Sequence, residues 1–124
     1  MAVKVLIIED DPVILLIYKT QLERAGFEVQ TAISGEAGFL RLHQNPPDAI
    51  VLDLMLPKAN GVEILKCIRA QKQFEKIPIF ILTAVPQSDL AKNTLLAGAN
   101  KVLGKSDTIP LDIVDAILEA LDQN

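Results

Sequence analysis

Residues 49–53 read Ala-Ile-Val-Leu-Asp, four apolar side chains running without a break into a carboxylate. Two of the four are β-branched and the run does not alternate. It reads as a strand buried on both faces, the kind found inside a parallel sheet. Such a strand has no place for a charge until it ends. Asp53 is therefore expected at the strand's carboxyl end, the edge at which open α/β sheets bind ligands. Leu54 to Pro57 and then Asn60-Gly61 follow before helical patterning resumes, which predicts a loop that leaves Asp53 at the mouth of a crevice.

The same grammar repeats along the chain. Val3 to Ile8 is a second buried strand, and it ends in Glu9-Asp10-Asp11. Asp11 is expected to cap a helix that has Pro12 at its first position and runs to about Ala25, with Gly26 as its stop. Phe27 to Ala32 alternates, as an outer strand would. Ser34 is expected to cap a short helix over about 35–44, ended by Asn45-Pro46-Pro47. After the loop at 57–61 a helix is expected over about 62–71, then a strand over 77–82 that leads into Thr83. Pro78 is tolerable there only at the strand's start. A helix over about 87–96 stops at Gly98. A short strand, Lys101 to Leu103, runs into Gly104-Lys105-Ser106, and a last helix covers about 110–121.

Strand and helix alternate five times. That pattern implies an α/β fold: a doubly wound, five-stranded parallel sheet of (βα)5 type with right-handed crossovers and helices on both faces. The flavodoxin-like strand order 2-1-3-4-5 fits it. One domain over 1–124 is expected, with no linker or low-complexity run.

In a parallel sheet all the carboxyl ends face one edge. Glu9, Asp10, Asp53, Thr83 and Lys105 are thereby expected to converge. Taken singly, each reads as a helix cap, a solvated turn residue or a surface lysine. Together they are three carboxylates, a hydroxyl and an ammonium. Carboxylates gathered in one place need a cation, and hard oxygen ligands with room for water suit Mg²⁺. A carboxylate is also a nucleophile toward phosphorus. A metal ion and Lys105 would neutralise phosphoryl oxygens, with Thr83 donating a hydrogen bond to one of them.

Bulk properties exclude other classes. The net charge is −4 and no basic cluster appears, so direct nucleic-acid binding is not expected. No apolar run approaches the roughly 18 residues of a membrane span. A signal peptide is not expected, because the chain opens on a strand. The single cysteine, Cys67, excludes an internal disulfide and suits a reducing cytoplasm.

The motifs LIIEDDP, VLDLMLPKANG, ILTA and GANKVLGK resemble those of the response-regulator receiver domain, and the likeness extends over essentially the whole chain. The resemblance implies a two-component signalling protein with Asp53 as phosphoacceptor. Asp10 and Asp53 would bind Mg²⁺ directly, Glu9 mainly through water, and the Met55 backbone carbonyl would be a further ligand. Thr83 would be the switch hydroxyl and Lys105 the phosphate-pairing cation. The expected donor is a sensor histidine kinase or a histidine phosphotransfer protein, and the expected readout is a downstream protein that the sequence does not name. The protein would assist its own phosphorylation and dephosphorylation and would turn over no separate substrate. It is expected to be cytoplasmic, and a monomer or a weak, phosphorylation-dependent homodimer. With no further domain in the sequence, output is expected through a changed surface.

Two departures from the family pattern stand out. Val102 occupies the place of the usual aromatic residue three before the lysine, and a valine cannot swing inward as a ring does. Ser106 follows Lys105 where a proline with a cis peptide bond is usual. A receiver-like docking module independent of phosphorylation is the alternative that these two residues leave open. A haloacid-dehalogenase-type phosphatase would want a second Asp where Met55 stands. A flavodoxin would want a Ser/Thr/Gly-rich phosphate loop in place of Glu9-Asp10-Asp11.

Partner surfaces are expected in two places. On the first helix, Ile14, Tyr18, Leu22 and Ala25 share the face toward the sheet, and Val13 and Leu16 point away as candidate phosphodonor contacts. On the last helix, Ile113, Val114, Ile117 and Leu121 face inward. Leu111 and Leu118 lie on the flank and, with Val102, form a candidate output or dimer surface. His43 is expected at the surface, and Cys67 as a packing or half-exposed thiol.

Overall fold

The computed structural model describes residues 2–56 and 59–122. Five strands form one parallel sheet: β1 (Lys4–Ile8), β2 (Glu28–Ala32), β3 (Ala49–Asp53), β4 (Ile79–Thr83) and β5 (Lys101–Gly104). They lie in the order 2-1-3-4-5. The helices between and after them are α1 (Pro12–Arg24), α2 (Gly35–Gln44), α3 (Gly61–Arg69), α4 (Asp89–Leu96) and α5 (Pro110–Asp122).

Alternation along the strands divides the interior in two. Leu6, Ile8, Ile50, Leu52, Ile79 and Ile81 point to the side covered by α2, α3 and α4. Val5, Ile7, Val51, Phe80 and Leu82 point to the other side, with Tyr18 and Leu22 of α1 and Ile113 and Ile117 of α5. Every residue of β3 is buried, as its unbroken apolar run requires. The edge strand β2 is only partly covered.

Local chemistry sets the boundaries. Oδ1 of Asp11 accepts hydrogen bonds from the backbone N–H of Val13 (2.9 Å) and Ile14 (3.3 Å), which caps α1 ahead of Pro12. Ser34 caps α2 by accepting from Ala37 N–H, and Ser88 caps α4 by accepting from Ala91 N–H. Gly26 follows α1 at φ +96°, a conformation costly for any residue with a Cβ.

The expected loop after Asp53 is more ordered than the sequence suggests. Met55–Leu56 and Ala59–Asn60 pair as a small antiparallel hairpin. Pro57 and Lys58 lie outside the described residues. Asn60 and Gly61 belong to the next helix: the Asn60 side chain accepts from Glu63 N–H at 3.0 Å, and α3 starts at Gly61. That helix ends at Arg69 and a 3₁₀ turn, Lys72–Phe74, follows it. Pro78 precedes β4 rather than opening it, and its carbonyl accepts from Ile50 N–H.

The helical-wheel reading of α1 needs correction at one end. Tyr18 and Leu22 are buried and Ile14 is half-buried, but Ala25 is exposed because α1 has ended by then. Val13 and Leu16 are 65% and 63% exposed, as their outward direction predicts. On α5, Ile113, Val114 and Ile117 are buried, Leu121 is half-buried, and Leu111 and Leu118 are exposed. Val102 is half-buried against the α2–α4 core and so offers less outward surface than those leucines. Among the described residues there is no cis peptide bond, so the Lys105–Ser106 bond is trans. Among the described residues, no helix is long and apolar enough to cross a membrane.

Candidate functional site

Register brings the candidate residues to one edge. Ile8 lies beside Leu52, Asp53 beside Leu82, and Thr83 beside Gly104. Glu9 continues the ladder past the end of β1 by donating its N–H to the Ala32 carbonyl at 3.0 Å. Its side chain is thereby held inside the sheet edge, 1% exposed. Asp53 and Thr83, each the last residue of its strand, are buried too. Asp10, one step further out than Glu9, is exposed.

Each group is oriented by the turn that follows it. Oδ1 of Asp53 accepts from Met55 N–H at 3.3 Å, and Oγ1 of Thr83 accepts from Val85 N–H at 3.1 Å. Oε1 of Glu9 accepts from Asp11 N–H at 3.2 Å. Lys105 is anchored through its own N–H, which donates to the Thr83 carbonyl at 2.8 Å. Its side chain reaches back across the edge, placing Nζ 3.2 Å from Oε2 of Glu9 and 3.2 Å from Oδ1 of Asp53.

The electrostatics are those of a crowded acidic site. Burial, helped by the charge of Asp53, pushes the Glu9 carboxyl up to about 7, against the pull of Asp11 N–H and Lys105. Burial alone would lower the Lys105 ammonium, but Asp53 and Glu9 outweigh it and its pKa is raised. One ammonium therefore pairs with two of the three clustered carboxylates. Oxygens of Glu9, Asp10 and Asp53 lie within 4.8 Å of one another. Oε2 of Glu9 is sealed from water and, although close to Lys105, makes no well-directed hydrogen bond. An all-oxygen donor set with a buried, underused carboxylate oxygen fits a hard divalent cation that keeps some of its water.

The convergence of Glu9, Asp10, Asp53, Thr83 and Lys105 follows from strand order alone. The ranking of Glu9 against its neighbour Asp10 does not: Glu9 is the buried one of the two, held there by a backbone pairing that no side-chain pattern announces. Met55, two residues beyond Asp53, lies on the hairpin with its side chain exposed. Val13, Leu16, Leu111 and Leu118 are all outside the acidic cluster, on helix surfaces. His43 is at the surface, its Nδ1 2.8 Å from the Phe39 carbonyl and its Nε2 2.7 Å from Gln71 Oε1, with its ring edge-on to Phe74. Cys67 is an exposed free thiol.

Comparison with known proteins places these features in a wider set. A family model described as the response regulator receiver domain matches residues 5–117. The phosphate regulon transcriptional regulatory protein PhoB of Rhizobium meliloti (strain 1021) is 32% identical over 107 residues, covering 86% of this chain and 47% of that protein. The DNA-binding dual master transcriptional regulator RpaA of Synechocystis is 36% identical over 114 residues, covering 92% of this chain and 46% of its own length. The chain thus spans about half the length of the curated relatives it matches. Among solved structures, the chemotaxis response regulator CheY4 of Vibrio cholerae superposes with a TM-score of 0.89 at 27% identity, over 97% of this chain and 99% of that one. The receiver domain of sensor histidine kinase PA1611 from Pseudomonas aeruginosa, solved with a magnesium ion in its active-site cleft, gives 0.89 at 26% identity, over 98% and 99%.

Proposed function

The chain belongs to the response-regulator receiver family, and from that premise we propose that Asp53 accepts a phosphoryl group from a phosphohistidine and that the phosphorylated surface is read by another protein. The observation that carries the reading is the placement of one buried carboxylate, Asp53, 3.2 Å from the only ammonium at the sheet edge among the described residues, with Thr83 on the neighbouring strand.

The chemistry follows from the geometry. A carboxylate oxygen of Asp53 attacks phosphorus and forms the new O–P bond. The P–N bond to the donor imidazole breaks, and that nitrogen keeps the electron pair. Lys105 balances charge on the phosphoryl oxygens, and the Thr83 hydroxyl turns from its present state to donate to one of them. The trans bond before Ser106 leaves Lys105 in reach of Asp53 without the proline usual in the family. Glu9, Asp10 and Asp53, with the Met55 carbonyl, would hold Mg²⁺. That ion would supply the positive charge the transferring group needs. The product is an acyl phosphate, whose hydrolysis the same residues assist. The protein therefore acts as a self-limiting switch rather than an enzyme with a separate substrate. No observation favours a docking module that dispenses with phosphate, since none of the phosphorylation residues is lost.

We assign the donor, a histidine kinase or histidine phosphotransfer protein acting in the cytoplasm, to the exposed Val13 and Leu16 at the start of α1. The readout belongs to the α4–β5–α5 side, through Leu111, Leu118 and the edge of Val102, either with a downstream protein or in a weak phosphorylation-dependent dimer. Incubation with Mg²⁺ and acetyl phosphate should add the mass of one phosphoryl group. Asp53→Asn should remove that gain while leaving the protein folded. Undiminished labelling of the variant would remove Asp53 from the role given to it here.

A further inference from the structure

One polar group beside the site has no role in this reading. Tyr18, on α1, has its ring within the core shared with α5 and is 6% exposed. Its hydroxyl makes no hydrogen bond to any described residue, and it is not among the polar atoms sealed from solvent. A phenylalanine would fill the same space, and the added oxygen is a hydrogen-bond acceptor that reaches solvent at the edge of that core. Tyr18 lines a cleft of about 260 Å³ between α1 and the start of α5, together with Ile14, Ile17, Ile109 and Lys105. Burial, the largest influence, raises the phenol's pKa. The Lys105 ammonium pulls it down and the Glu9 carboxylate pushes it up, so the hydroxyl feels both members of that ion pair.

Lys105 is at present shared between Glu9 and Asp53. A divalent cation held by the carboxylates competes for the same oxygens, and two positive charges a few ångströms apart repel strongly in a poorly solvated site. An ammonium has three donors and no acceptor, so on leaving Glu9 it needs a new oxygen. On the α1 side the Tyr18 hydroxyl is one that no other described residue engages.

We propose that Tyr18 is a positioning residue for Lys105: its phenolic oxygen accepts a hydrogen bond from the ammonium that the cation displaces from Glu9, and so keeps that ammonium beside Asp53 for the incoming phosphoryl group. The proposal rests on the phosphoacceptor reading above. It gives this chain a phenol on the α1 side of the lysine where Val102 supplies no ring on the other.

The test is a double-mutant cycle on metal affinity. Mg²⁺ binding is measured by calorimetry for the wild type, Tyr18→Phe, Lys105→Met and the double variant. Tyr18→Phe should weaken binding about three- to tenfold, the scale of one ordinary net hydrogen bond on a hydroxyl that solvent can still reach. In the Lys105→Met background the same change should have no effect. An unchanged affinity in Tyr18→Phe, or an equal loss in both backgrounds, overturns the proposal; the second result would mark Tyr18 as a packing residue only. Acetyl phosphate labelling of the wild type separates the two levels. Labelled protein without the coupling sinks the Tyr18 role alone, and wild type that neither binds Mg²⁺ nor labels sinks both.

Discussion

Nζ of Lys105, just past the end of the last strand, stands 3.2 Å from Oε2 of Glu9, just past the end of the first, and that oxygen is closed to water.

The pair makes metal-free stability depend on pH. The Glu9 carboxyl titrates near 4.5 ordinarily and at about 7 in the fold. Between those values the folded state binds more protons than the unfolded one. Stability from this group is therefore full below about 4.5 and is lost as pH rises through 7. Glu9→Gln should flatten that slope and, at pH 8 in EDTA, raise stability by about 1–3 kcal/mol in urea unfolding. Mg²⁺ should stabilise the wild type more than the variant. A variant less stable than wild type at pH 8 would mean that the Lys105 pairing outweighs the burial of Glu9.

Gly61 controls the hairpin beyond Asp53. Its N–H donates to the Leu54 carbonyl at 2.6 Å, and a Cβ there would lie 2.9 Å from the Leu54 Cα and 3.2 Å from the Asp53 carbonyl oxygen. Backbone cannot move aside as a side chain can. Gly61→Ala should cost about 1–3 kcal/mol and slow acetyl phosphate labelling of Asp53. Gly26→Ala, at positive φ but with nothing near its added Cβ, should cost about 1 kcal/mol and leave labelling alone. Equal labelling rates in both variants would show that the hairpin does not position Asp53.

Leu16 should separate two phosphodonors. It is exposed on α1, away from the acidic cluster. Leu16→Ser should slow transfer from a histidine protein severalfold and leave acetyl phosphate labelling intact. Slowing of both reactions would point to a disturbed fold, and slowing of neither would make Leu16 an ordinary exposed side chain.

Leu118 is partly exposed on α5, so a charge can be placed there without unfolding the protein. Leu118→Asp should weaken a dimer or target contact of the phosphorylated protein, read by sedimentation or by affinity for the target. Its melting temperature should stay within about 2–4 °C of wild type, the shift expected for a surface change. A larger fall would place Leu118 in the core.

Much of this was legible before any coordinates. The run Ala49–Leu52 announces a two-sided buried strand because nothing in it can face water, and that strand fixes where Asp53 must be. Asp11 with Pro12, and Ser34 before Gly35, are cap chemistry with a mechanism, and both hold in the structure. The hairpin after Asp53 was not legible, since two-residue pairings leave no periodicity and Asn60-Gly61 reads equally as turn or as helix start. The α1 wheel is weakly determined for a similar reason. Residues 13–17 are all apolar, so the period alone does not say that Ile17 is exposed while Leu15 packs inward. The burial of Glu9 depends on a hydrogen bond from its own backbone to Ala32, which no list of side chains contains.

The acidic cluster draws on β1, β3, β4 and β5, with Glu9 near the start of the chain and Lys105 near its end. No contiguous fragment shorter than residues 9–105 holds its parts. The cluster is thus complete only once these strands have paired, and pairings so far apart in sequence are slow to form. A chain in which those strands have not paired lacks the full set of groups, so the topology ties assembly of the cluster to completion of the fold.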